Sequence, residues 1–205
     1  MGSSKEFSRY GILFVVSAPS GAGKSTLCAA LRQTPDFVYS VSCTTRPARA
    51  GEINTEDYLF LTEAEFLARV KAGDFLEHAR VHEHYYGTLR KPVIENLQKG
   101  IDVLIDVDTQ GAAAIRNSDN TFVRGALADV FIMPPNLDEL RRRLIKRGTE
   151  TPQQIDLRIS NAAREMELWR DYRYTIISQS TEEDLQKFRH IARAERYLSR
   201  RLIQS

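Results

Sequence analysis

The stretch Phe14–Thr26, FVVSAPSGAGKST, decides how the rest of the chain is read. A β-rich run, ILFVVSA (12–18), enters a turn of small residues and glycines, and helix formers follow from Lys24. The phosphate-cradling loop is written G-x-x-x-x-G-K-[ST]. Here its eight positions are Ala18, Pro19, Ser20, Gly21, Ala22, Gly23, Lys24 and Ser25, so an alanine stands at the first glycine. The parts that meet a phosphate are kept. Gly21 and Gly23 let backbone N–H groups turn inward. Lys24 can reach terminal phosphates, Ser25 suits Mg²⁺, and a helix starting there turns its positive dipole end to the anion. The leading position asks only for a small residue. The competing reading is a plain turn capping a helix, which leaves Lys-Ser after the glycines without a reason.

Working outward, three more runs read as buried parallel strands: DVLIDVD (102–108), DVFIMPP (129–135) and YTIISQ (174–179). They are nearly continuous in Val, Ile, Leu and Phe, as expected where both sheet faces are covered. Helical patterns lie at 24–33, 90–99, 109–116, 137–147, 152–168 and 182–202. In the last, Leu185, Phe188, Ile191, Ala192, Tyr197, Leu198 and Leu202 approximate one helical stripe. Strands alternating with helices predict an α/β doubly wound core with a parallel sheet. Residues 38–90 break the rhythm: VYSVSCTT and DYLFLT alternate like half-exposed strands, a short helix (63–71) follows, then FLEHARV and YYGT. This is a small mixed β insertion. Residues 137–167 form a second, arginine-rich segment between two core strands.

The chain has 205 residues, 42% hydrophobic and 27% charged, which suits one domain with insertions. A net charge of +2 gives no general case for binding polyanions, so no nucleic-acid partner is expected. Cys28 and Cys43 form no disulfide scaffold or CxxC pair and fit a reducing compartment. No apolar run is long enough to span a bilayer. The N-terminus lacks a signal-peptide apolar core, and Glu6 stands where a myristoylation signal takes Ser or Thr. Residues 1–9 read as a loose tail, and the expected location is cytoplasmic. His78, His82 and His84 have no recognised zinc spacing. Cys43 has no paired base in its motif.

VLIDVD resembles a metal-side strand, with Asp106 and Asp108 at its C-terminal end, where open α/β sheets bind ligands. Two residues apart, they share a face and could hold Mg²⁺ through water; either could instead cap the next helix. DVDTQG also carries the GTPase-like D-x-x-G, but the chain has no N-K-x-D box. In SVSCTTRPARAGE, Arg46 and Arg49 stand beside a hydroxyl-rich strand end, and Tyr58 and the YYGT tyrosines come later. Two guanidiniums and two phenols can ring a phosphate monoester.

From Ile12 to about Leu198 the chain resembles the bacterial guanylate kinases. The blocks SAPSGAGKST, VSCTTRPARAGE, DYLFL, FLEHARV, YYGT, DVDTQGA, FIMPP and RLIKRG occur in that family's order. The resemblance implies a P-loop kinase with a three-layer α/β/α core (10–37, 91–136 and 168–205), a GMP-binding insertion (38–90) and a short helical lid (137–167). It implies ATP + GMP to ADP + GDP with Mg²⁺, dGMP as a further acceptor, and a monomer or homo-oligomer.

The same resemblance assigns ATP to the loop from Ala18 through Thr26, with Arg143 and Arg147, and the metal to Ser25 and, via water, Asp106. GMP falls to Ser42, Arg46, Arg49, Tyr58, Glu77, Tyr86, Thr88, Asp106 and Asp108, and catalysis to Lys24, Arg46, Arg147 and Arg158. The chemistry agrees. Guanine presents N1–H and an exocyclic amine as neighbouring donors, which one carboxylate can accept, while a hydroxyl donates to O6. Adenine would leave that carboxylate unpaired. Leu137, Leu140 and Leu144 give the lid an apolar face, so its arginines could be only the wet face; phosphoryl transfer, though, needs cations on developing charge. Two departures stand out. Ser178 occupies the place near the adenine where the family commonly has Asn, and 117–128 is longer than the usual connection. Rival readings are a non-catalytic guanylate-kinase-like interaction module and a P-loop kinase for another phosphorylated acceptor. The intact loop and lid oppose the first, and the guanine-reading set opposes the second.

Overall fold

The computed structural model describes residues 7–204 apart from His82 and Thr149. β1 (Phe7–Arg9) leads to β2 (Leu13–Ser17), which is buried along its whole length. Successive strand side chains face opposite ways. Phe14 and Val16 therefore join one hydrophobic cluster, with α1 (Lys24–Arg32), while Leu13 and Val15 join another. Burial on both faces is why this run reads as continuously apolar. β3 (Val38–Tyr39), β4 (Cys43–Thr44) and β5 (Leu59–Phe60) follow, then α2 (Glu63–Ala72), β6 (Phe75–Val81), β7 (His84–Leu89) and α3 (Arg90–Gln98). Next come β8 (Val103–Asp106), α4 (Thr109–Arg116), α5 (Thr121–Ala126) and β9 (Leu127–Met133). The chain closes with α6 (Leu137–Arg147), α7 (Pro152–Met166), β10 (Tyr174–Ile177), α8 (Thr181–Arg196) and β11 (Leu202–Gln204).

The core sheet runs β10-β9-β2-β8-β3 and is parallel throughout. Phe188 of α8 packs with Phe14 and Phe37 on one face; Val93, Leu97, Ile115 and Phe131 fill the other. Each such side chain contributes about 1.5–3 kcal/mol on burial. Val16 pairs with Asp106, so the chains leaving β2 and β8 emerge side by side at the carboxyl edge of the sheet.

The second sheet, β5-β4-β7-β6, is mixed: β4 and β5 are parallel, the other pairs antiparallel. Phe66 of α2 covers it, stacked on Phe75 at 4.5 Å and Tyr85 at 5.4 Å. Thr62 and Glu65 close a capping box at the start of α2. No helix among the described residues is long and apolar enough to cross a membrane.

Four sequence expectations need correction. VYSVSCTT is two strands: Val38–Tyr39 pairs with β8 in the core sheet, and only Cys43–Thr44 belongs to the mixed sheet. Residues 7–9 are no loose tail but pair antiparallel with Leu202–Gln204. The last helix stops at Arg196 rather than 202, and Tyr197, placed on its apolar stripe, is 85% exposed. The cause is Arg201. Its guanidinium turns inward to pair with the fully buried Glu195 and donates to the carbonyls of Gly125, Ala126 and Leu127, which pulls the chain off the helix axis. The helix expected over 152–168 ends at Met166, and Glu167–Asp171 winds into a tighter 3₁₀ turn. The long 117–128 connection contains α5, capped by Asn120, whose Val123 and Ala126 complete the core.

Candidate active site

The glycine loop leaves β2 and turns at Gly21 (φ 89°) and Gly23 (φ 103°), a backbone region that L side chains avoid. A side chain at Gly21 would also strike Leu144 of α6 at 2.8 Å. α1 begins directly after, with no side chain capping it and no acid in its first turn, so its N-terminus is open to an anion. Lys24 reaches across to β8: its Nζ donates to the Val107 carbonyl at 3.0 Å and lies 3.5 Å from the Asp106 carboxylate.

Two cavities meet at Lys24. The larger, about 890 Å³, runs from the loop, with Ser25 and Thr26 on its wall, to Arg143, Arg147 and Arg158 and on to Ser178. The smaller, about 190 Å³, is lined by Ser42, Tyr58, Glu77, Tyr86, Asp106 and Asp108 as well as Lys24. The first gathers the residues expected at a nucleotide donor, the second most of those expected at an acceptor base.

Glu77 is 7% exposed, and its carboxylate accepts from the Thr88 hydroxyl at 2.7 Å. Burial pushes its carboxyl up to about 7, and the neighbouring charge of Asp108 adds to the rise while the Thr88 bond opposes it. Gly111 makes room for it: a Cβ there would lie 2.9 Å from Glu77 Oε2. Asp108 does cap a helix, since its side chain accepts from the Gly111 N–H at 2.8 Å, yet it also lines the smaller cavity. Asp106 caps no helix among the described residues and lies between Lys24 and Tyr39.

Tyr58 and Tyr86 stand with ring centroids 6.2 Å apart, and the Arg46 guanidinium is 5.4 Å from the Tyr58 ring. Arg46 is held by both oxygens of Glu52, at 2.8 and 3.0 Å, and the Arg49 N–H donates to the same carboxylate at 2.7 Å. The Arg49 side chain is exposed. Neither arginine lines the smaller cavity, which ends at the tyrosines.

α6 buries Leu140 and Leu144 against α7 residues Ile155 and Ala162. From α7, Arg158 donates to Ser20 Oγ at 2.8 Å, and Glu165 accepts the Ser20 N–H at 3.2 Å. Arg143 is tied to Glu139 at 2.8 Å and to Ser178 Oγ at 3.1 Å. Arg147 lines the larger cavity with no carboxylate partner among the described residues. Among those residues no group of three or more His, Cys, Asp or Glu is placed to hold a metal. The Ser25 hydroxyl and Asp106 carboxylate fit Mg²⁺ in another way: it takes few protein oxygens and fills its shell with water and substrate phosphates. Of the histidines, His78 packs near Phe66 and Phe75, and His82 lies outside the described residues.

A guanylate kinase family model matches residues 10–195. The chain belongs to the guanylate kinase family. It is 44% identical over 187 residues to a guanylate kinase of Protochlamydia amoebophila, covering 90% of this chain and 91% of that one. It is 40% identical over 186 residues to a guanylate kinase of Clostridium tetani, covering 91% and 87%. The crystal structure of guanylate kinase from Anaplasma phagocytophilum superposes with a TM-score of 0.77 at 33% identity, covering 97% of this chain and 93% of that one.

Three polar residues of this guanylate kinase-family site were missed in the sequence. Tyr39 donates its phenol to Asp106 and carries the Arg32 guanidinium 3.5 Å above its ring; burial and the Asp106 charge push the phenol up. Its only signal is a tyrosine at a strand's C-terminal edge, hidden because that strand was merged with the next. Glu52 was legible as an acid six residues after Arg46. Glu165 had no local signal.

Proposed function

We propose that the chain transfers the γ-phosphoryl group of ATP to GMP, giving ADP and GDP, with the larger cavity as donor site and the smaller as acceptor site. The observation that carries this is that the two cavities share one lysine: Lys24 stands where a transferred phosphoryl group must pass.

On this reading the loop from Ala18 to Thr26 holds the ATP phosphates through backbone N–H groups. Glu77 accepts from guanine N1–H and the 2-amine. The Thr88 proton is already given to Glu77, so Ser42 is the hydroxyl left to donate to O6. Tyr58, Tyr86, Arg46 and Arg49 take the GMP phosphate, which has to draw the Arg46 guanidinium away from Glu52, while Arg49 meets that carboxylate only through its backbone N–H. Asp108 closes the wall beside Glu77. A GMP phosphate oxygen attacks Pγ, the bond to the β,γ-bridging oxygen breaks, and ADP leaves with the electron pair. No general base is needed. Lys24, Arg147 and Arg158 lie on the cavity where charge develops and oppose it without covalent chemistry, and Arg143 supports them from α6. Mg²⁺, held by Ser25 and through water by Asp106, would supply further charge on the β- and γ-phosphates.

The parallel-sheet core, the mixed-sheet insertion and the α6–α7 lid are the three parts that close on the substrates, and dGMP is a further acceptor. The enzyme works in the cytoplasm, on free nucleotides rather than nucleic acid or membrane, as monomer or homo-oligomer. The test is ADP release from ATP with GMP, dGMP, AMP, UMP and CMP in turn. GMP and dGMP should support turnover and the others little; equal rates with AMP would overturn the acceptor assignment.

A further inference from the structure

The α6–α7 lid is seated on three consecutive residues of the glycine loop. Ser20 meets α7 through both of its donors and acceptors nearest the lid: its hydroxyl accepts from Arg158 Nη1 at 2.8 Å, and its N–H donates to Glu165 Oε2 at 3.2 Å. Gly21 lies under α6, where a Cβ would come within 2.8 Å of Leu144 and 3.2 Å of Leu140. The Ala22 carbonyl accepts from Arg143 at 3.4 Å. Arg158 and Glu165 are spaced by about two helical turns, so they project from the same side of α7. Each follows a residue of the lid's own apolar core by one turn, Ile155 and Ala162. The packing that fixes α7 on α6 therefore also aims both side chains at Ser20.

A carboxylate on a loop N–H does not serve a phosphate, which carries the same sign. Burial pushes the Glu165 carboxyl up, the Ser20 N–H opposes that rise, and the charge of Asp108 adds to it. What Glu165 holds is the Ser20 backbone, and what Ser20 holds is the Arg158 guanidinium. On its other nitrogen, Arg158 Nη2 lies 3.6 Å from the Glu150 carboxylate. A guanidinium has five N–H donors, so one anchored in this way keeps donors for a phosphate. A free arginine loses rotamer freedom when its charge is placed on a transferring group; an anchored one has lost it beforehand. The anchor here belongs to the loop that also carries Lys24, so both cations are set in one frame.

We propose that Ser20 serves the lid: its hydroxyl positions Arg158 for phosphoryl transfer, and Glu165 holds Ser20 in place through its N–H. Ser20 and Glu165 are thus positioning residues that act through Arg158. This rests on the kinase reading above.

The experiment is a double-mutant cycle on ATP-to-GMP transfer with Ser20→Ala, Arg158→Ala and the pair together. Ser20→Ala should lower kcat by about five- to tenfold, the size of one hydrogen bond to a charged group, with KM for ATP within about twofold. In the Arg158→Ala background the same change should cost less than about twofold, because the hydroxyl has nothing left to hold. Ser20→Thr keeps the hydroxyl and should stay within about threefold of the wild type. Glu165→Ala should lower kcat in the wild type and add little to Ser20→Ala. Equal losses from Ser20→Ala in both backgrounds would mean that Ser20 acts on the nucleotide directly and would overturn the proposal. So would a raised KM for ATP at unchanged kcat, which marks a phosphate ligand, or a faster Ser20→Ala, which marks a restraint on the lid. Absence of transfer from ATP to GMP in the wild type would overturn the kinase reading itself, so the two failures are told apart.

Discussion

The hydroxyl of Thr88 on β7 donates to the carboxylate of Glu77 on β6 at 2.7 Å, in a wall where Glu77 is 7% exposed. This pairing gives the acceptor site a titratable group: burial first, and Asp108 next among the charges that raise it, bring the Glu77 carboxyl to about 7. Only the carboxylate accepts from both guanine donors. KM for GMP should therefore fall as pH rises towards 7, by about tenfold per unit well below it, and level off above. KM for ATP serves as the control. A GMP KM that is flat from pH 6 to 8 would mean that Glu77 does not titrate there.

The same shift has a consequence for stability. The folded pKa lies above the unfolded one, so the contribution is fully present below about 4.5 and is lost as pH rises through about 7. Free of GMP, the protein should lose stability relative to Glu77→Gln between those values in urea melts. A constant difference across that window would contradict the shift.

Lys24 touches Val107 and lies near Asp106, and among the described residues it makes no hydrogen bond or ion pair with Glu77, Ser42 or the tyrosines of the acceptor wall. Lys24→Ala should lower kcat by about a hundredfold or more, as for loss of a fixed charge on the transferred phosphoryl. GMP binding by calorimetry should change little. Near-wild-type turnover would remove Lys24 from the phosphoryl path.

Tyr39 reaches Asp106 from the last residue of the core before the chain enters the mixed sheet. Its removal acts through Asp106, so Tyr39→Phe should lower kcat by about five- to tenfold, roughly 1–1.4 kcal/mol. KM for GMP should stay within about twofold. The half-saturating Mg²⁺, followed also by Mn²⁺ binding to the ATP complex in spin resonance, should rise. If kcat and metal binding are both unchanged, Tyr39 is only a packing residue.

What the sequence made legible was local. β2, the glycine turn and α1 are contiguous, and burial on both sheet faces writes itself as an unbroken apolar run. Hence the core strands and the loop could be read from the residues themselves, while Glu77 and Asp108 were assigned to GMP only through the family resemblance and their closeness was not legible. Non-local choices could not. The pairing of Phe7–Arg9 with Leu202–Gln204 joins the two ends of the chain. The end of α8 depends on Arg201 reaching carbonyls of α5 and β9, with no trace in helical periodicity. Tyr39 was hidden because β3 and β4 belong to different sheets although adjacent in sequence. Arginine types were legible, but their present partners were not: Arg46 rests on Glu52 and Arg143 on Ser178.

The central claim is that Glu77 reads guanine, and it is tested most directly by kcat/KM for GMP and AMP in the wild type and in Glu77→Gln. The glutamine turns one acceptor into a donor facing a guanine donor. A charge-assisted bond contributes about 1.5–3 kcal/mol, so GMP activity should fall by about ten- to a hundredfold. AMP lacks both donors and should not suffer the same loss, so the GMP-to-AMP ratio shrinks. Equal falls for the two acceptors would make Glu77 a structural residue and contradict the acceptor site described here.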